Sequence, residues 1–399
     1  MKNNKISNAI IIGILFLLLN CSPSTDTSGS FFEVPENVFS DTIPEIPNEP
    51  GFYVNGENKG VLLFTDIVDW INNNVKNGTI YGIVLHQNIS INPVTFSYPG
   101  KNVCIIIKGN TEGRSISLAK QGSLFTIGEG VTFGLSSNIE LKGISDNNRS
   151  LIRVSYKGKF IMENGIISGN SASFASGLGV GVNSGGTFIM NGGKIIDNTL
   201  VAGNSGYGGG GVSVSGTFIM NGGEISNNTF STSSGTGSVG YGGGGVYLEG
   251  LGGANFTMNG GIITNNKSLG GQGGGIFLGG FAFTMNDGEI SNNTTTNDGG
   301  GIYRFGGNTD VIIQGGSIFG NSAGRRGGGV YCSINNNSSQ YKFIKKSTGG
   351  IIYGNNADVN LQNIADQNGH AVFINDTKKR NTTVTEYVEL DSSKLSEWE

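Results

Sequence analysis

The chain has 399 residues, of which 70 are glycine and only 14% are charged, and its formal net charge is −4. That balance offers no basic surface for a phosphate backbone, which excludes nucleic acid as an expected partner. A hydrophobic content of 36%, with the glycines regularly placed, excludes a disordered chain. None of the three cysteines pairs at a metal-ligand spacing, so no metal site and no cofactor is expected.

Lys2 and Lys5 precede an uninterrupted apolar run from Ala9 to Leu19. The run is too short for a membrane span of about 20 residues and has the layout of an export signal over residues 1–20. It ends in Leu18-Leu19-Asn20-Cys21, which resembles a bacterial lipobox. That resemblance implies lipidation of Cys21, while signal cleavage beside an incidental thiol is the alternative. Ser22 follows instead of aspartate, and by the same resemblance the outer membrane is favoured. Residues 21–50 hold five of the seven prolines (Pro23, Pro35, Pro44, Pro47 and Pro50) and are acidic, which reads as an extended tether.

Residues 51–100 read as an amino-terminal cap and first coil. Thr65-Asp66 supplies a candidate helix cap, and Ile67, Trp70, Ile71 and Val75 share one face of a helix over 65–76. Such a helix suits the end of a stack whose edge must be covered. Strands are expected at 80–85, 103–107, 124–127, 139–141 and 151–154. No proline follows Pro99, so strand ladders can run unbroken.

From residue 160 the chain repeats one phrase. Phe188-Ile189-Met190-Asn191-Gly192-Gly193-Lys194-Ile195-Ile196-Asp197-Asn198 is a clear copy, and others start at Phe160, Phe218, Phe256, Phe283, Val311 and Phe343. The steps are 28, 30, 38, 27, 28 and 32 residues, and five of the six methionines fall at one repeat position. Alternation sends Phe188 and Met190 inward and Ile189 outward, with Ile195 inward again on a second strand. A third strand follows glycine runs such as Gly243-Gly244-Gly245-Val246-Tyr247-Leu248. Three short strands per coil, stacked in parallel over residues 101–375, predict an all-β right-handed parallel β-helix of about 10–12 coils. Residues 376–399 form a carboxy-terminal cap. Asn170, Asn198, Asn228, Asn266, Asn293, Asn321 and Asn355 end the phrases and predict a corner ladder of amides. Cys104 and Cys332 read as buried free thiols.

Lipobox, cap, G-G-x-I-x-x-N phrases and G-G-G-[VI]-[YF] strands together resemble the right-handed β-helix repeat lipoproteins of spirochaetes. Ile318-Phe319-Gly320-Asn321 followed by Gly328-Gly329-Val330 is also similar, more loosely, to the repeats of chlamydial polymorphic outer-membrane proteins.

Tyr247, Phe277, Tyr303, Tyr331 and Phe373 share one outward position on successive coils and are expected as an exposed aromatic strip, the candidate binding face. Asp287, Asp298 and Asp310 around Arg304 form the best candidate acidic cluster. With no second copy and no histidine beside them (His86 and His370 lie elsewhere), no catalytic residue is expected. The expected function is therefore non-catalytic: a lipid-anchored, surface-displayed protein for adhesion or envelope structure, with a host protein or glycan as ligand. A polysaccharide lyase or hydrolase on the same scaffold is the alternative.

Overall fold

The computed structural model describes residues 41–173, 178–203, 206–232, 240–248, 253–306, 311–334, 350–376, 382–384 and 388–390. The expected signal peptide, Cys21 and the first part of the tether lie outside them, as do Asp310 and the repeat copy at Phe343. All the described residues fall within the compact unit Glu36–Glu399.

The body is a parallel β-helix with one short helix near its amino-terminal end. Three walls are each 11-stranded. The first wall holds the Phe/Met strands, such as Lys159–Met162, Thr187–Met190 and Thr217–Met220, paired in register so that Phe188 faces Phe160 and Phe218. The second holds the isoleucine strands, such as Lys194–Ile196 and Glu224–Ser226. The third holds the strands after the glycine runs, such as Val212–Val214 and Val246–Leu248. All five strands expected in the early coils are present, from Ile80–Leu85 to Ile152–Val154. The stack makes about eight turns, fewer than the 10–12 coils expected. The end strands turn back antiparallel and serve as caps. Gly51–Val54 does so at the start, and Thr382–Val384 and Val388–Leu390 at the finish.

The core is a set of one-residue columns. Phe160, Phe188, Phe218 and Phe256 are fully buried and stack at centroid separations of 4.9, 4.8 and 4.6 Å. That is the spacing of hydrogen-bonded strands, so ring stacking and backbone pairing reinforce each other. Each buried phenylalanine contributes about 1.5–3 kcal/mol of transfer free energy. The glycine that ends the turn after the first wall has the same origin. A Cβ at Gly223 would lie 2.6 Å from the Met190 methyl of the preceding coil, and Gly223 has a φ of +84°. Gly193, Gly261, Gly288 and Gly316 repeat this arrangement on Met162, Met220, Met258 and Met285.

At the corner after the second wall, buried asparagines form the expected ladder. The Asn198 side-chain amide donates to Asn228 Oδ1 at 2.9 Å, Asn228 to Asn266 at 3.1 Å, and Asn266 to Asn293 and Asn293 to Asn321 at 3.0 Å each. Each backbone N–H donates to the same oxygen. The left-handed conformation falls one residue earlier, on Asp197, Asn227, Asn265 and Asn292. The ladder amide also packs on the glycine before the third wall: a Cβ at Gly245 would lie 3.0 Å from Asn266 Nδ2.

Two terms of this ladder differ from the sequence expectation. Asn147 joins at the start, donating to Asn170 at 2.9 Å. Asn355 does not take part; Asn321 donates at 2.9 Å to Asn363 instead. After Tyr353 the chain leaves the corner and returns at Asn363, whose amide bonds the carbonyls of Ile318 and Tyr353 as Asn321 bonds those of Ile290 and Phe319. A second ladder, unforeseen in the sequence, runs at the turn after the methionines. Asn286 donates to Asn259, Asn259 to Asn221, and Asn221 to Asn191, at 2.7–2.8 Å, and Asn191 donates to the Glu163 carboxylate at 3.0 Å.

Three further features depart from expectation. A fourth wall of seven strands, from Ser171–Ser173 to Ile364–Ala365, begins directly after the ladder. The helix spans Phe64–Asn74 with Leu63 as its cap residue and no side-chain capping bond, so Thr65-Asp66 is not the cap. Burial of Phe64, Ile67 and Ile71 over the core end fixes its position instead.

The third departure is residues 41–50, which are not free tether. They cross the outer face of the first wall. Asp41 pairs with Lys159 at 3.3 Å, Ile43 N–H donates to Glu163 at 3.1 Å, and Lys108 donates to Asn48 at 2.6 Å. Ile46 and Ile43 occupy the spaces left by Gly82 and Gly134, where a Cβ would approach them to 3.0 and 2.7 Å. These glycines are two coils apart, with Ile106 between them. Two coils rise about 9.6 Å, and three residues of polyproline-II backbone rise about 9.3 Å, so Ile43-Pro44-Glu45-Ile46-Pro47 matches the holes in the wall.

Asn228→Ala should lower unfolding stability by about 1–3 kcal/mol by orphaning its ladder neighbours, whereas Asn355→Ala should change it by no more than about 0.5 kcal/mol; equal losses in thermal melts would contradict the ladder as described. Gly134→Val should dislodge the strap, so a glutamate-specific protease should cut the variant after Glu45 and leave the parent chain intact there, while equal cutting of both would show that Ile43 is not held.

Candidate functional site

The third wall places Tyr247, Phe277, Tyr303, Tyr331 and Phe373 in one column, as alternation predicts, with centroids 5.3, 5.3, 4.9 and 5.5 Å apart. The column faces away from the main core and yet is not exposed: all five residues are 1–5% accessible. The strip is therefore not an open binding face. The connections that follow the fourth wall, among them Tyr207–Gly209 and Tyr241–Gly243, lie over the third wall and cover the rings. Tyr241 packs its edge on Phe277 at 6.0 Å. The Arg326 guanidinium lies over Tyr331 and Phe373 at 5.0 and 5.1 Å. Burial raises the Tyr303 phenol, with Tyr331, Asp298 and Tyr241 adding to the rise and a Gln272 hydrogen bond opposing it.

The acidic cluster separates in the same way. Asp298 is buried and receives two bonds from the Arg326 guanidinium, Nε at 3.0 Å and Nη2 at 2.9 Å, and a third from its backbone N–H at 3.2 Å, so it secures the cover of the aromatic column. Asp287 is exposed and accepts only its neighbour's Gly288 N–H at 2.7 Å. Arg304 is buried on the inward side of the third wall, between Leu278 and Cys332 in register. His86 is exposed, and His370 Nδ1 accepts from Ala365 N–H at 3.3 Å. Among the described residues no three His, Cys, Asp or Glu side chains converge as metal ligands.

An unforeseen feature lies on the outer face of the second wall, in the early coils. A groove of about 470 Å³ is lined by Arg114, Ser115, Asn138, Glu140, Lys142 and Asn164 among others. Register sets Ser115, Glu140 and Ile166 side by side on successive strands. Glu140 is neutralised by Lys142 at 3.0 Å and accepts from Ser168 at 2.7 Å. Arg114 donates to Gly113 O at 2.7 Å and pairs with Glu112, but its buried Nε has no partner. A buried donor left unmade costs about 1–3 kcal/mol. The only other buried side-chain atom so placed among the described residues is Gln272 Oε1. The groove thus carries two cations, amides and one neutralised carboxylate, a set that suits a hydroxylated or anionic ligand. Its sequence signals were weak: Ile139-Glu140-Leu141-Lys142 alternates, but it belongs to coils without the repeated phrase.

No family model, curated protein or solved structure matches the chain. Among the described residues no helix is long and apolar enough to cross a membrane.

Cys104 and Cys332 are buried free thiols, as expected, and burial pushes each up to about 12. A raised thiol stays protonated, so in a Cys21→Ser background neither should be alkylated in the folded protein at pH 8, and both should react in denaturant. Rapid alkylation of the native protein would contradict their placement.

Proposed function

We propose that this protein is a non-catalytic, lipid-anchored binding protein of a bacterial outer surface, related to the β-helix repeat lipoproteins of spirochaetes. The parallel β-helix body supports the kinship, as does the Leu18-Leu19-Asn20-Cys21 motif after an export signal. The observation that carries the binding role is the second-wall groove, where a partly buried arginine keeps a donor unused beside Lys142 and three amides. Its ligand is a hydroxyl-rich or acidic polymer, a host glycan or a glycosylated matrix protein. For the enzymatic alternative the groove offers one carboxylate, Glu140, already engaged by Lys142 and Ser168. Acid–base cleavage of a glycosidic bond ordinarily uses two.

The anchor and the groove are tested separately. Metabolic labelling with a tagged fatty acid should mark the parent chain and not Cys21→Ser, and an unlabelled parent chain would remove the anchor. Full-length protein should bind members of a panel of acidic polysaccharides and matrix glycoproteins. Arg114→Ala with Lys142→Ala should weaken that binding about tenfold or more, in line with losing charge-assisted bonds, and no reducing or unsaturated ends should accumulate. Unchanged binding by the double variant, or release of such ends, would overturn this reading.

A further inference from the structure

We infer that a second site, a neutral-carbohydrate platform, lies on the outer side of the covered aromatic column and is built from Tyr207, Tyr241 and Phe305 with Gln272 at its polar edge. The inference rests on the binding-protein reading above and names a second ligand class for it, at a place separate from the groove.

Tyr207 and Tyr241 sit on two paired strands, Tyr207–Gly209 and Tyr241–Gly243, in register with each other. Their rings stack nearly parallel, 5.5 Å apart at 9°. Tyr241 is also held edge-on by Phe305 at 5.1 Å and by Phe277 at 6.0 Å. Through Phe277 the cluster joins the buried column, so its rings are fixed before any ligand arrives. Yet Tyr207 is 57% exposed and Phe305 38%. Rigid, half-open aromatic rings lose little freedom on binding and present apolar faces of the size of a sugar ring.

The polar edge lies beside them. The Tyr303 hydroxyl is hydrogen-bonded by the Gln272 side chain and is close enough to Tyr241 and Asp298 to feel both. Gln272 is only 8% exposed, and its Oε1 has no partner. Asp298 is fully engaged by Arg326 and contributes no free charge. An aromatic face, phenol hydroxyls and one unfilled acceptor match the two sides of a pyranose: C–H groups on the face, and a hydroxyl for the acceptor directly or through one water. Among the described residues the charges at this edge are paired, Asp298 with Arg326 and, at 4.0 Å, with Arg325, which favours a neutral sugar, whereas the groove also admits an acidic one.

Titration calorimetry of the full chain with cellotetraose and chitotetraose tests this. At least one should bind. Tyr207→Ala and Phe305→Ala should each weaken binding about three- to tenfold, the usual range for losing one stacked ring. Gln272→Leu should also weaken it, measured on protein whose melting curve shows it folded, since the variant removes the unfilled acceptor together with the amide that bonds the Tyr303 hydroxyl. The groove variant Arg114→Ala with Lys142→Ala should bind the tetrasaccharides as the parent does, which separates failure of this site from failure of the groove. Failure of both sugars to bind, or parental affinity in Tyr207→Ala, overturns the platform. So does a matrix protein whose binding needs Tyr207 when neither sugar binds, because the cluster is then a protein contact.

Discussion

The corner ladder of buried asparagines is the interaction on which the rest of the body depends. A chain that turns every few residues leaves backbone N–H and C=O groups at each corner that neither wall can pair, and buried groups of this kind must be satisfied. One carboxamide per coil meets the need. Its amide nitrogen lies within bonding distance of two carbonyls of the surrounding chain and of the next amide oxygen, and its own oxygen accepts the backbone N–H and side-chain amide of the preceding coil's asparagine. The glycines before the third wall lie against the same amides. Because every coil repeats this corner, phenylalanine, methionine and isoleucine columns fall into register without further specification.

A constant corner also tolerates uneven loops. Successive ladder residues are separated by 28, 30, 38, 27, 28 and 42 positions from Asn170 to Asn363, while the hydrogen bonds keep nearly the same length. The fourth wall, with its own small core around Leu200 and Phe230, and the connections over the aromatic column lie between the corner and the third wall. Specific surfaces therefore arise where the repeat is loosest, in the early coils and in these outer additions.

The parts of this protein that could be read from its sequence are those fixed by strict period. Alternation was enough to place Phe188 and Met190 inside, Ile195 inside, and Asn198 at the corner. It failed where chain length between repeats intervened. Asn355 has the right spacing from Ile352, but an excursion after Tyr353 gives the position to Asn363. Tyr303 and Tyr331 do point away from the core, but alternation cannot report a layer folded over them. Residues 41–50 look like tether by composition, because proline and glutamate carry no period of strand or helix. Only the spacing of Gly82 and Gly134 on the wall reveals why Ile46 and Ile43 are three apart. The groove around Arg114 gave almost no signal, since its residues meet across three irregular coils.

The central claim is that a continuous buried amide ladder locks the coils together. Native-state hydrogen exchange of side-chain amides observes this directly. The carboxamide protons of Asn228, Asn266, Asn293 and Asn321 should exchange as slowly as the backbone amides of the first wall, because both open only when coils separate. Those of Asn221 and Asn259, in the exposed ladder, should exchange far faster. If the buried set exchanged as fast as the exposed one, the corner would be open to water and the account of the fold would be contradicted.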